Sequence, residues 1–287
     1  MSAVAVERAR TRGSALATAW AFVKRHLLTV YSILFFAYLL LPIAVVAVFS
    51  FNNPPGKFNF TWNQFTWDNW RYWNGVPGIQ SAIVLSLEIA LIASLIATAL
   101  GTLIALALVR YSFSGRGSTN ILIFLPLSTP EIVLGASLLT LFLNTTFVRV
   151  QFGFWTILIA HIMFCISFAV VTVKARLVGF DRHLEEAAMD LGANEWTTFT
   201  RVTLPLIAPG ILSALLLAFA LSVDDFVITN FNAGTTVTFP LFVWGAARAA
   251  VFPQINVVGT AIFAVAMLVM LVNVVFQTRR ARRLKNV

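Results

Sequence analysis

Six stretches of this sequence are each long and apolar enough to cross a bilayer as a helix, and nothing else limits the fold as tightly. They run approximately over 27–51, 82–109, 120–143, 153–173, 206–231 and 255–276. A hydrocarbon layer about 30 Å thick needs about 20 helical residues at about 1.5 Å of rise each. A lipid-exposed open strand would leave its backbone N–H and C=O groups unpaired, which excludes sheet for these stretches. The alternation of apolar and polar positions that marks a membrane β-barrel is absent. The expected fold is therefore an all-α integral membrane protein with six transmembrane helices. Composition agrees: of 287 residues, 59% are hydrophobic and 11% charged, against about 25% charged in a soluble domain. An ordinary soluble enzyme, a disordered chain and a collagen-like fibre are all excluded on that ground.

The first stretch follows basic residues, as a signal peptide would. Its apolar part is longer than the about 7–15 residues of a typical signal core. No small-x-small cleavage signature follows it, so it reads as an uncleaved span.

The formal net charge is +9. The basic residues lie at the chain ends and in loops, not on one face, which argues against nucleic acid as a partner and for a topological role. If the six stretches all span, one side receives sixteen of the 20 Lys and Arg, and the other only Lys57, Arg71, Arg149 and Arg248. The basic side is cytoplasmic by the positive-inside rule, and it carries both termini. The chain then divides into a basic cytoplasmic tail over 1–26, a membrane domain over 27–277 and a basic cytoplasmic tail over 278–287. Two external loops fall at 52–81 and 232–254, and a cytoplasmic loop at 174–205.

The first external loop is dense in aromatics: Phe58, Phe60, Trp62, Phe65, Trp67, Trp70, Tyr72 and Trp73. Two readings fit it, an interfacial aromatic belt and a docking surface for an external partner. The second external loop carries Phe239-Pro240, Trp244 and Arg248. It reads either as a short gate helix folded back or as an interfacial loop.

Signatures of catalysis and metal binding are missing. There is no GxxxxGK[ST] phosphate loop, no HExxH and no GxSxG. The three histidines, His26, His161 and His183, are scattered along the chain. His161 and Cys165 share a helix face four residues apart, but two groups make an incomplete metal set, and core packing is the reading for both. The chain is not read as an enzyme; if transport here is ATP-driven, hydrolysis belongs to another chain.

The loop over 174–205 is too polar for a simple connector. It holds five of the eleven acids: Asp181, Glu185, Glu186, Asp190 and Glu195. Residues 183–191 have the composition of a short helix. Gly192 supplies its break, and Asn194 is placed to cap a second helix through Trp196, Thr198 and Phe199. Pro205 either ends that helix or starts the next span. On pattern alone the unit is a solvated amphipathic connector or a docking element whose Ala187, Ala188 and Met189 fit a partner's groove.

Glu186-Ala187-Ala188, then Gly192, then Val202-Thr203-Leu204-Pro205 resemble the EAA motif, EAA-x3-G-x9-I-x-LP. That motif marks permease subunits of bacterial ABC importers. The spacing matches, with Val202 where isoleucine is usual. Further segments resemble the C-type permeases of spermidine/putrescine importers: Ser128-Thr129-Pro130-Glu131, Gly153-Phe154-Trp155, the run from His161 to Phe168, Val170-Val171-Thr172-Val173 ahead of Arg176-Leu177, and Ser222-Val223-Asp224-Asp225-Phe226. The similarity covers about 110–268.

The resemblance implies a type I importer in the bacterial inner membrane. It implies a second permease as a heterodimer partner, two ATPase subunits that carry ATP and Mg, and an external solute-binding protein. No cofactor is implied on this chain. By similarity the coupling loop comprises Glu185, Glu186, Ala187, Ala188, Asp190, Gly192, Leu204 and Pro205. Glu186 to Gly192 would form a helix seated in a cleft of the ATPase.

Four acids lie within or at the edge of the apolar stretches: Glu88, Glu131, Asp224 and Asp225. A charge at the bilayer centre costs about 2.5–3.5 kcal/mol on insertion scales. Such acids are expected to face a cavity, a neighbouring helix or the interface. They could form a path for a cationic solute, with aromatic faces such as Trp244 adding cation–π contacts. Pro126 and Pro130 should distort the third stretch beside Glu131. Asp224 and Asp225 point about 100° apart on a helix, so one can face a path while the other caps a helix or meets Arg248. The alternatives that stay open are an ABC importer for another small solute and a proton-coupled secondary transporter using Glu88 and Glu131.

Overall fold

The computed structural model describes the backbone over 3–144 and 151–285, and side chains over 25–144, 151–269, 271 and 275. The side chains of Arg8, Arg10, Arg12, Lys24, Arg149 and the basic run from Arg279 to Lys285 lie outside those limits. The secondary structure is helical, with only isolated bridges among the described residues. In chain order the helices are α1 Ala3–Phe49, α2 Asp68–Arg71, α3 Ile79–Arg110, α4 Arg116–Ser128, α5 Glu131–Asn144 and α6 Phe154–Val178. They continue as α7 His183–Asp190, α8 Glu195–Thr198, α9 Leu204–Asp224, α10 Val227–Asn232, α11 Phe239–Ala249 and α12 Pro253–Lys285. A π turn over Phe199–Thr203 joins α8 to α9.

The all-α expectation holds, but not every apolar stretch forms one unbroken helix. Among the described residues four helical segments are long and apolar enough to cross a membrane: Arg25–Phe49, Ile79–Arg110, Phe154–Val178 and Glu195–Asp224. A fifth results if α4 and α5 are counted together, although they meet at 109°. Pro253–Val269 is the described apolar part of α12, which runs on to Lys285.

Two of these departures have local causes. Thr129 precedes Pro130 and is extended, at φ −85° and ψ 133°, because the proline ring disfavours helical geometry in the residue before it. The third stretch is therefore two helices and not one distorted one. The fifth stretch, read as 206–231, breaks at Asp225, which is extended at φ −64° and ψ 117°. Its N-terminal end also differs from expectation. The second loop helix is not a separate element but runs through the π turn into α9. Pro205 lies just past the π turn, where the regular helical hydrogen-bond register is already broken.

The chain forms two compact units, Pro77–Ala249 and the pair of segments Met1–Val76 with Ala250–Val287. In the first unit α3, α6 and α9 pack on one another, α10 packs on α5 and α6, and α11 on α3. Close approach of α3 to α6 depends on small residues. Ala93, Ala97, Gly101 and Ala105 recur every four positions on α3 and are all buried. A Cβ on Gly101 would stand 2.7 Å from the Ala169 Cβ, so only glycine permits this contact. Burying apolar surface adds little between helices in lipid, and close packing of small residues must supply the attraction.

In the second unit α12 packs on α1 and α2. The aromatic loop is an ordered cap here, pinned by three buried asparagines. Asn52 Nδ2 donates to Asn59 Oδ1 at 2.6 Å and to the Thr61 carbonyl at 2.8 Å. Asn59 Nδ2 donates to the Phe49 carbonyl at 2.8 Å, and Asn69 Nδ2 to the Ser50 and Asn52 carbonyls at 3.0 and 2.8 Å. The bonds to the Phe49 and Ser50 carbonyls lie at the end of α1, where a helix runs out of intrahelical donors. Phe51 sits at the centre of the aromatics, 5.5 Å from Phe65, 4.9 Å from Trp67 and 5.5 Å from Trp70 between ring centroids.

Candidate functional site

The loop between α6 and α9 builds an exposed, rigid projection. At its start Asp181 Oδ1 accepts the backbone N–H of His183 at 3.0 Å, and Glu185 and Glu186 lie in the first turn of α7. Negative charge there is favoured by the helix dipole. At the other end Gly192 adopts φ +89°. Its N–H bonds the Met189 carbonyl at 2.9 Å, and the Ala193 N–H bonds the Ala188 carbonyl at 3.1 Å, a Schellman closure that uses glycine's freedom at positive φ. Asn194 then caps α8 through Thr197 N–H at 2.8 Å.

No residue of α7 is buried. Leu191 is 91% exposed and Trp196 is 73% exposed, with Leu184 and Met189 also on the surface. Ala187, Glu186 and Asp190 are exposed and Ala188 is half-buried. Glu186 pairs with His183 Nδ1 at 3.1 Å. Glu185 differs: it turns inward to Arg110 and Thr203. Leu204 and Pro205 are exposed in the first turn of α9.

The second cluster sits where α9 breaks. Asp225 is buried and caps α10: its Oδ1 accepts Ile228 N–H at 3.3 Å, and its Oδ2 accepts Thr229 N–H and the Thr229 hydroxyl, both at 2.8 Å. His161 of α6 spans the break. Its Nδ1 is 2.7 Å from Ser222 Oγ on α9, and its Nε2 is 2.8 Å from Thr229 Oγ1 on α10 and 3.2 Å from Asp225 Oδ2. His161 is thus buried in the core, as expected, and is also a polar bridge. Its neighbour Cys165 is buried, with Sγ 3.5 Å from the Ala218 carbonyl.

The other acids lie at the surface. Asp224 is exposed at the last position of α9, and Glu131 is exposed in the first turn of α5, within electrostatic reach of Asp224. Glu88 is exposed on α3. Trp244 on α11 is half-exposed, with its ring 5.1 Å from Phe226 beside the α9 break. Arg248 does not reach the aspartates; it lies 4.8 Å over the Trp244 ring. Ser86 Oγ accepts the Phe239 N–H at 2.8 Å and ties α11 to α3. Among the described residues no group of three or more His, Cys, Asp or Glu is arranged to hold a metal ion.

Sequence reasoning missed the roles of His161, Arg110 and Thr203. Their partners lie 18 to 93 positions away, beyond any local pattern.

Residues 97–286 match the family described as binding-protein-dependent transport system inner membrane components. The chain is 39% identical over 228 residues to a spermidine/putrescine transport system permease protein, PotC, of Haemophilus influenzae, covering 78% of this chain and 86% of the relative. It is 38% identical over 236 residues to a putrescine transport system permease protein, PotI, of Escherichia coli, covering 79% of this chain and 82% of the relative. A bacterial ABC transporter involved in alginate import shares the fold at a TM-score of 0.65 and 18% identity, over 92% of this chain and 99% of that one. By these matches the chain belongs to the family of binding-protein-dependent transport system inner membrane components, and is a multi-pass membrane protein of transport and not an enzyme.

Proposed function

We propose that this chain is a permease subunit of an ATP-driven importer for polyamines of the spermidine/putrescine class. The observation that carries this reading is its identity of 37–39% with permeases of spermidine/putrescine systems over 78% of its length. The site chemistry supports it. Asp224 and Glu131 present carboxyl groups at the surface, and the Trp244 face, already carrying the Arg248 cation, lies beside the break. Carboxylates and aromatic faces both attract ammonium groups on apolar stems. Asp225, buried as the cap of α10, holds this rim in shape, and Glu88 on α3 is a weaker member of the path.

Both termini lie in the cytoplasm, as the distribution of Lys and Arg favours. The working assembly pairs this chain with a different permease, two ATPase subunits that hold ATP and Mg, and an external binding protein. The projection of α7, with Glu186, Ala187, Ala188, Met189, Asp190 and Leu191 outward, docks on an ATPase.

Deleting the gene in cells without another polyamine carrier is expected to abolish uptake of labelled spermidine at low external concentration, with the wild-type gene restoring it. Unchanged uptake would remove the polyamine assignment. Gly192→Val tests the docking element. A β-branched residue at φ +89° costs about 1–2 kcal/mol of backbone strain and disturbs the turn. Uptake should fall severalfold with the subunit still in the membrane; wild-type uptake would sink the coupling role of α7.

A further inference from the structure

The helix α7 contributes no buried residue, so apolar burial does little to fix it to the membrane spans. Its ties are polar instead, and they converge on one corner. Glu185 Oε1 is bonded both by Arg110, the last residue of α3, and by the Thr203 hydroxyl at the end of the π turn that leads into α9. Arg110 Nη2 also lies 3.4 Å from Thr203 Oγ1, closing a triangle. A second tie runs the opposite way: Arg182, just before α7, donates from Nη2 to the Val109 carbonyl at 2.9 Å. That carbonyl is among those a helix C-terminus leaves unpaired.

The environment separates this corner from the docking face. The Glu185 side chain is 14% exposed and that of its neighbour Glu186 is 64% exposed. Thr203 is buried. Charges this shielded are screened far less than surface pairs. The two helices joined at the corner, α3 and α9, pack on each other and on α6, so a displacement passed to both reaches the core of the bundle. A π turn at the junction is a form often found where a helix has a functional irregularity.

We propose that Arg110, Glu185 and Thr203 form a transmission joint, in which Glu185 is a positioning residue that couples movement of α7 to the ends of α3 and α9. This rests on the coupling role proposed above for α7. Glu185 then acts through the permease interior and not by touching the ATPase.

The test uses the whole transporter, with both permeases, the ATPases and the binding protein, reconstituted in vesicles. Uptake of labelled spermidine and ATP hydrolysis are measured together. In Glu185→Ala, uptake should fall about tenfold further than hydrolysis, the size of a typical coupling factor. The exchange Arg110→Glu with Glu185→Arg should recover part of the lost ratio, which a residue serving only to fold the loop would not do. Should Glu185→Ala fail to assemble, Thr203→Val removes the hydroxyl's contacts with Glu185 and Arg110 at nearly constant volume and should still lower uptake per ATP. Wild-type uptake per ATP in both Glu185→Ala and Thr203→Val overturns the joint. Leu191→Glu on the outer face separates the two layers of the argument. If it impairs ATPase docking or uptake, the coupling role stands and a null result at Glu185 sinks only the joint. If it changes neither, the coupling role of α7 falls and the joint falls with it.

Discussion

Replacing His161 by leucine should strongly destabilise the bundle. The ring is buried and holds three partners: Ser222 at 2.7 Å, Thr229 at 2.8 Å and Asp225 at 3.2 Å. Leucine fills much of the volume but returns none of these bonds. The Asp225 carboxyl keeps its links to α10 yet loses its partner on α6, and two hydroxyls lose a bond. Each buried polar group left without a partner costs about 1–3 kcal/mol, and several such losses are a large part of the about 5–15 kcal/mol that holds a typical protein folded. The thermal midpoint of the purified subunit in detergent should drop sharply. Because α9 and α10 are joined across their break through His161, α10 should loosen first, with faster amide exchange over 227–232. Adding Asp225→Asn to His161→Leu should cost less than the sum of the two single changes, since both remove the same His161–Asp225 contact. A His161→Leu variant as stable as the wild type would show that Asp225 holds the break alone.

What the sequence discloses depends on how far apart the interacting residues are. The α7 helix, its glycine turn and the Asn194 cap are all readable, because each rests on bonds spanning three to five residues. Pro126 and Pro130 signal a disturbance in the third stretch, but the 109° angle also needs α5 to pack on α10, which no local pattern contains. The break in the fifth stretch is half-readable. An aspartate ahead of Phe226, Val227 and Ile228 is a fair helix cap, yet the surrounding apolar run argues for a continuous span. Asn52, Asn59 and Asn69 look like ordinary loop residues in sequence, and only the folded loop shows them closing the end of α1. Glu185 and Glu186 are adjacent and alike in sequence; Arg110, 75 positions away, decides that one turns inward.

Gly101→Leu should prevent the α3–α6 contact from forming. At this position a Cβ would meet the Ala169 Cβ at 2.7 Å, the Val170 nitrogen at 3.1 Å and the Ala169 carbonyl carbon at 3.2 Å. Two of those three atoms are backbone, so no rotamer change in α6 makes room. The helices must separate, and separation opens gaps along Ala93, Ala97 and Ala105, which share the stripe. Overpacking commonly costs about 1–3 kcal/mol and more where the backbone cannot yield. Lipid tails are as apolar as the side chains exposed by the parting, and no hydrophobic term draws the helices back. The expected result is a large loss of folded subunit in detergent, graded so that Gly101→Ala is milder than Gly101→Leu. Leu103→Phe, two residues on and 63% exposed, is the matched control and should leave the yield near wild type. Equal yields for Gly101→Leu and Leu103→Phe would mean that the small-residue stripe does not set the approach of α3 to α6, and the bundle would have to be held by its polar ties alone.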